Sequence, residues 1–170
     1  FYLLIFNIEN IFFYDDFFLK SFFIPLFGIF FVGLYDDKYH LKAEIKLFII
    51  GVILVILLNF DDSLIVKKLY FSSFDKSVNL GILEVPFTVL CFLLFMNALN
   101  MFDGINLQVG TYFLIILIFI GFISNFSLLC IALFFPLITF LILNYYEKSF
   151  LGDSGSLLIA YIISYLVIKT

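Results

Sequence analysis

The sequence predicts an all-α protein, a polytopic transmembrane helix bundle of about six spans with the tail of an earlier span ahead of them. Three observations lead there. Of 170 residues, 65% are hydrophobic and only 13% charged, against about 25% charged and about 45–50% apolar in a soluble domain. Such an apolar surplus cannot be hidden in one small core, so the bilayer has to be its solvent. The apolar residues are also gathered into charge-free runs of near-spanning length. Finally, the runs lack the strict alternation of barrel strands. Helices, which satisfy their own backbone groups in lipid, are left.

Residues 1–8 read as the end of an earlier helix. The first full span covers residues 21–35, extended upstream by 17–19, and the second covers 47–60. The third covers 85–102. Residues 104–146 carry no charge and are too many for one helix, so the break is placed at Ser124-Asn125, giving spans at 109–123 and 126–145. The last span covers 154–168. At about 1.5 Å per residue about 20 residues cross the hydrocarbon core, so the shorter runs need tilt or interfacial polar ends. No internal repeat or linker divides the chain, which reads as one membrane domain over 1–170.

Counting spans places the polar segments. With the exit of the first span as side one, residues 61–80 form the longest polar loop on side two. Asp36-Asp37, Asp103 and Asp153 then all emerge on side one. Lysines do not orient the bundle: Lys38, Lys42, Lys46 and Lys148 fall on side one, and Lys20, Lys67, Lys68, Lys76 and Lys169 on side two.

Several functions are excluded or left without support. A net charge of −4 is wrong for a nucleic-acid surface. His40 is the single histidine, which excludes histidine-based zinc sites within this chain. Cys91 and Cys130 sit in apolar runs and read as buried apolar side chains, not a disulfide or metal pair.

Three segments can carry chemistry. Asp36-Asp37 closes the first span, and adjacent carboxylates there can hold a divalent cation or poise a base. The competing reading is a charged span end at the headgroups. Asp15-Asp16 and Asp61-Asp62 are taken as such solvated caps. In the second segment, Asn97, Asn100 and Asp103 are three apart and share one helix face, followed by Gly104 and Asn106. A turn explains Asp-Gly but not an amide at Asn97 inside an apolar run. The third, Phe150 to Ser156, is a Gly-rich turn into a helix N-terminus, where Asp153 or Ser154 would cap the helix. Alternatively, free backbone N–H groups there would receive an anion such as a diphosphate, with a cation on Asp153. Acidic groups meeting on one face need compensation, which a divalent cation supplies while neutralising a diphosphate. Read this way, the residues point to a metal-assisted phosphoryl site at the membrane surface, its substrate unnamed.

These segments resemble the polyprenyl-phosphate N-acetylhexosamine-1-phosphate transferases. That family shows an aspartate pair after a span, then Asn-Ala-x-Asn-x-x-Asp-Gly, then Gly-Asp-x-Gly-Ser. The counterparts here are Asp36-Asp37, residues 97–104 and residues 152–156, in that order, and the resemblance covers nearly all of the chain. It implies a cytoplasmic active site in the bacterial inner membrane, Mg²⁺ (with Mn²⁺ as a substitute), and a UDP-sugar donor. Polyprenyl (undecaprenyl) phosphate would be the acceptor, UMP would be released, and envelope polysaccharide would be the end product. Asp36 matches a base or nucleophile toward the lipid phosphate, with covalent and direct displacement both open. Asp37 would support the metal–phosphate region and Asp153 would coordinate the metal. Asn97, Asn100, Asp103 and Asn106 match the nucleotide-side segment, and Phe150 matches an aromatic that stacks on uracil. Gly152, Ser154 and Lys46 complete the substrate-binding set, and a second copy of the chain is a candidate partner.

The sequence departs from the family pattern Asp-Gly-x-Asp-Gly-Leu in reading Asp103-Gly104-Ile105-Asn106-Leu107-Gln108, so Leu107 stands where a glycine is usual. Glu44 stands where a lysine is frequent. The family's Gly-rich N-terminal loop and His/Arg-rich C-terminal loop are not in these residues, and the chain is expected to be part of a longer enzyme. The competing readings are the peptidoglycan cousin with a muramoyl-pentapeptide donor, a transporter with acidic gates, and an inactive fragment. A transporter calls for carboxylates or broken helices at mid-membrane, whereas these aspartates stand at helix ends.

Overall fold

The computed structural model of the chain describes residues 16–71, 76–124 and 126–170. Through them run α1 (Asp16–Tyr39), α2 (Ala43–Phe60), α3 (Glu84–Phe102), α4 (Gln108–Ile123), α5 (Ser127–Tyr145) and α6 (Gly152–Lys169). Each of the six expected spans maps onto one helix, and the chain is a polytopic helical membrane protein. The helix tail expected at 1–8, Asp15 and Asn125 lie outside the described residues. Among those described, four helical stretches are long and apolar enough to cross a membrane: Ala43–Phe60, Gly81–Phe102, Leu128–Tyr145 and Gly152–Lys169. The α4 helix is apolar throughout but only 16 residues long. The 24-residue α1 is long enough but carries charges toward both ends.

The loop on side two contains an element that the sequence reading did not foresee. One 3-10 turn, Asp62–Leu64, leads to antiparallel strands β1 (Lys68–Phe71) and β2 (Lys76–Asn79). Tyr70, Phe71 and Val78 are residue types that suit extended backbone. The root of this hairpin is pinned to the bundle. Leu64 is buried, and the Val66 N–H donates to Thr88 Oγ1 of α3 at 3.0 Å.

The axis of the bundle is α6. Its span is 56% buried, against 17–28% for the other three candidate spans, because it packs against α1, α3 and α4 together. The contact with α1 repairs a helix defect. Pro25 has no N–H and so cannot satisfy the Ser21 carbonyl one turn earlier. Tyr161 of α6 turns its hydroxyl toward that carbonyl, 3.4 Å away, and donates to the Phe22 carbonyl at 3.2 Å. The Phe22, Tyr161 and Tyr165 rings fill the space around these bonds. In contrast, α5 packs chiefly on α4.

Two sequence expectations are corrected here. Asp61 is buried, 3% exposed, not a solvated cap. It takes the Ser63 N–H at 3.2 Å and the Ser63 hydroxyl at 2.5 Å, and Lys169 Nζ lies 2.8 Å from its Oδ2. Burial pushes this carboxyl up, but Lys169 and Ser63 outweigh burial and hold it below the usual aspartate value. Its neighbour Asp62 is exposed. Cys91 is exposed and Cys130 buried, both as free thiols, so the buried reading holds for Cys130 alone.

Candidate functional site

The polar end of the bundle is assembled by a close crossing of α1 and α6. Gly33 allows it, because a Cβ at that position would stand 2.4 Å from the Ser154 Cα and 2.8 Å from its nitrogen. One helical turn beyond Gly33 come Asp36 and Asp37, which are thereby delivered to the start of α6. Asp153 is the second residue of that helix.

The two aspartates of the pair do different things. Asp36 is 3% exposed. Its Oδ1 accepts from the Leu41 N–H at 2.7 Å, which fixes the turn between α1 and α2, and its Oδ2 accepts from Lys46 Nζ at 2.5 Å. Asp37 is exposed, and its oxygens take the Asp153 N–H at 2.7 Å and the Ser154 N–H at 3.1 Å. Asp37 therefore caps the positive end of α6 from another helix. Gly152 makes room for it, with φ +65 and its missing Cβ position 3.0 Å from Asp37 Oδ1.

This arrangement corrects the expectation of free backbone donors for a diphosphate at the α6 N-terminus. The Asp153 and Ser154 N–H groups are held by Asp37, and the Gly155 N–H bonds to the Leu151 carbonyl at 3.1 Å. The anion seated there is the protein's own carboxylate. Asp37 was expected in the catalytic and metal-binding set; here its carboxylate oxygens are taken up in capping α6.

Lys46 is the second organising group. It lies on the first turns of α2, is 8% exposed, and reaches across to Asp153 Oδ2 at 3.5 Å while holding Asp36. A buried ammonium thus bridges the two carboxylates. On the α3 side, Asn100 Oδ1 accepts from the buried Ser156 hydroxyl, and the Asn100 amide faces Asp153. Asp103, just past the end of α3, is pushed up to about 6, first by burial and then by the negative charge of Asp153. Of the residues expected in the site, Asp36, Asp37, Lys46, Asn100, Asp103, Gly152, Asp153 and Ser154 are gathered here. Asn97 is set apart, its Nδ2 directed at Met101 Sδ 3.6 Å away. Asn106 and Phe150 are exposed on flanking loops, and Phe150 keeps 68% of its surface open.

A residue that sequence reasoning missed ties those loops together. Asn144, 4% exposed near the end of α5, accepts the Leu107 N–H at 2.6 Å and donates to the Ser149 carbonyl at 2.7 Å. The signal was present, a lone amide near the end of an apolar run, as at Asn97. Leu107 itself has φ 69, a left-handed conformation that costs an L-residue about 1–2 kcal/mol and suits the glycine usual at that position.

Among the described residues no three His, Cys, Asp or Glu side chains converge as a preformed metal cage. The donors present, Asp153 and Asp103 with the Asn100 amide close by, are hard oxygen ligands. Mg²⁺ is typically held by one or two carboxylates, with water and phosphate oxygens completing its shell. The mutually unfavourable Asp103 and Asp153 charges fit that use.

The bundle with an acidic, lysine-bridged centre at one helix end defines an integral membrane protein whose polar chemistry sits at the end of its spans. The chain belongs to glycosyl transferase family 4, whose sequence profile matches residues 19–170. It is 32% identical over 156 residues to the probable undecaprenyl-phosphate N-acetylglucosaminyl 1-phosphate transferase of Bacillus subtilis (strain 168), an alignment covering 84% of this chain and 41% of that protein. It is 30% identical over 90 residues to a phospho-N-acetylmuramoyl-pentapeptide-transferase of Clostridium perfringens (strain 13 / Type A), covering 49% of this chain and 28% of that protein. The chain thus spans less than half the length of either relative.

Proposed function

We propose that this chain carries the catalytic centre of a bacterial membrane transferase. The enzyme would move a sugar 1-phosphate, N-acetylhexosamine 1-phosphate, from a UDP-sugar to polyprenyl phosphate in envelope polysaccharide synthesis. An oxygen of the lipid phosphate would attack the sugar-bearing phosphorus, a new P–O–P bond would form, and UMP would leave. The observation that carries this reading is the Lys46-bridged pair of Asp36 and Asp153 with Asp103 beside it. Negative oxygen ligands and one buried cation standing together at the span ends support a site for two phosphorylated substrates. Displacement at phosphorus needs alignment and charge neutralisation more than anything else.

In this reading, Asp153 and Asp103 would hold Mg²⁺, which when bound would neutralise the diphosphate and polarise its phosphorus–oxygen bonds. Asp36, fixed by Leu41 and Lys46, would face the lipid phosphate and could take or pass a proton. Lys46 would hold the two carboxylates together against their mutual repulsion and offer positive charge to phosphate. Asp37 would hold α6 in place, and exposed Phe150 would be open to stack on the uracil ring. The active face would be cytoplasmic.

The test is transfer of label from UDP-N-acetylglucosamine to undecaprenyl phosphate by the full-length protein in membranes, with and without Mg²⁺. Asp36→Asn and Asp153→Asn should each nearly abolish lipid-linked product while the protein still inserts. UDP-N-acetylmuramoyl-pentapeptide is the second donor to try, because one relative is named as a phospho-N-acetylmuramoyl-pentapeptide-transferase. No lipid-linked product from either donor, or full activity in both variants, would sink the proposal.

A further inference from the structure

The hairpin on the opposite side from the acidic centre plays no part in that chemistry, and it has two unlike faces. Directly paired residues of an antiparallel ladder share a face, and alternate residues change face. Lys68 pairs with Asn79 and Tyr70 with Ser77, which makes one face polar around a single tyrosine. Leu69 pairs with Val78 and Phe71 with Lys76, which makes the other face apolar with one lysine at its edge. Phe71 and Val78 are 49% and 50% exposed while Leu69 is half-buried, so the bundle leaves the outer part of this face uncovered.

We infer that the apolar face of β1 and β2 lies in the headgroup layer of the bilayer, as an interfacial anchor beside the α2 and α3 span ends. Continuity favours lipid over a protein partner. From β2 the chain enters α3 through Ile82, 97% exposed, and Leu83, 62% exposed, so bare apolar side chains run from the hairpin into the lipid-facing surface. Charge fits as well. Lys67, Lys68 and Lys76 are all exposed, and Lys76 sits directly across from Phe71. Its long apolar stem can lie along the acyl boundary while the ammonium meets lipid phosphate. Strands of four residues are about 13 Å long. Laid flat they fit a headgroup layer of about 5–8 Å on each side of the hydrocarbon. The Val66–Thr88 hydrogen bond and buried Leu64 hold the root, so the hairpin is presented in a fixed orientation.

These 170 residues contain no tryptophan, so a face-by-face test is possible in the full-length protein once any tryptophan outside them is changed to phenylalanine. Phe71→Trp and Val78→Trp report the apolar face; Tyr70→Trp and Ser77→Trp report the polar one. Each variant is placed in phosphatidylglycerol–phosphatidylcholine vesicles with brominated acyl chains, and its helical circular dichroism is matched to the unsubstituted protein. Two positions on each face keep the test alive if one variant misfolds. The expected result is quenching at 71 and 78 at least about twofold stronger than at 70 and 77. Replacing phosphatidylglycerol by phosphatidylcholine should weaken it, and Lys67→Gln with Lys68→Gln and Lys76→Gln should remove that lipid-charge dependence. Equal quenching on both faces would overturn the inference. Shielding of 71 and 78 that rises with protein-to-lipid ratio would also overturn it, because the face would then belong to a second copy of the chain.

Discussion

Asp37 and Asp153 are joined through the main chain: the Asp153 N–H donates to Asp37 Oδ1 at 2.7 Å, and the next N–H, of Ser154, goes to Oδ2 at 3.1 Å. One carboxylate from α1 thereby satisfies two donors at the start of α6. The pair of adjacent aspartates divides into a cap and a buried partner of lysine.

That division predicts different kinetics for two neighbours. Asp37→Ala should cost about 1 kcal/mol of stability, the usual worth of a cap, and should lower turnover with little change in the Mg²⁺ concentration for half-maximal rate. Asp153→Asn should raise that concentration or abolish activity. On the proposed metal site, a rise in the Mg²⁺ requirement of Asp37→Ala well beyond the about 10–100-fold that an outer-shell partner costs would place Asp37 on the metal itself.

Gly33→Ala should separate α1 from α6, since its methyl would overlap the Ser154 backbone at 2.4 Å. The expected cost is about 1–3 kcal/mol, measured by unfolding in detergent micelles, with loss of transfer. Gly51→Ala is the control. There the new methyl meets only Leu93 Cδ1 at 3.6 Å, so stability should hold or rise.

Lys46→Met should be the most damaging change in the centre. It leaves Asp36, 3% exposed, without its cation, and stranding a buried charge costs about 3–5 kcal/mol. Combining Lys46→Met with Asp36→Asn should recover much of the lost stability without restoring transfer. A double variant no more stable than Lys46→Met alone would mean that the ion pair does not hold this end of the bundle together.

Leu107→Gly should stabilise the protein by up to about 1 kcal/mol, because the relieved left-handed strain exceeds the extra chain entropy of glycine. The gain from the same change beside Asn144→Ala should be smaller, since the Leu107 N–H would no longer be held at 2.6 Å and the backbone could leave the strained conformation. Thermal unfolding of the four proteins checks this.

Asp103 makes stability depend on pH in a defined window. Its carboxyl is raised from 3.8 to about 6 by burial and by the charge of Asp153, so the folded state binds its proton more tightly than the unfolded chain does. That contribution is fully present below 3.8 and is lost as pH rises through about 6. Asp103→Asn should flatten the stability profile across that window, and Asp153→Asn should move the midpoint down. A cation bound between the two should also lower it, so an NMR titration of Asp103 that ignores Mg²⁺ would contradict shared binding.

The spans were legible because lipid imposes one rule on every exposed side chain, and charge-free runs report it directly. Partners far apart in the chain were not legible. Asp36 and Asp61 both stand at helix ends in Asp-Asp pairs, and both are buried on a lysine, but Lys169 lies more than a hundred residues from Asp61. Nothing local distinguishes these from exposed Asp37 and Asp62. The amide that drew attention, Asn97, has Met101 for company, while Asn144, unremarked, ties two loops to one another. The hairpin was hidden for a different reason, since four-residue strands inside a polar loop carry too little alternation to stand out.

The axial helix is fastened at both ends, by Asp36, Lys46 and Asp37 at its start and by Asp61 at its finish. A rod latched at top and bottom resists sliding or ratcheting along its own axis. By contrast, the α4–α5 hairpin leans on the rest of the described bundle chiefly through α4, so a tilt between elements meets less resistance there.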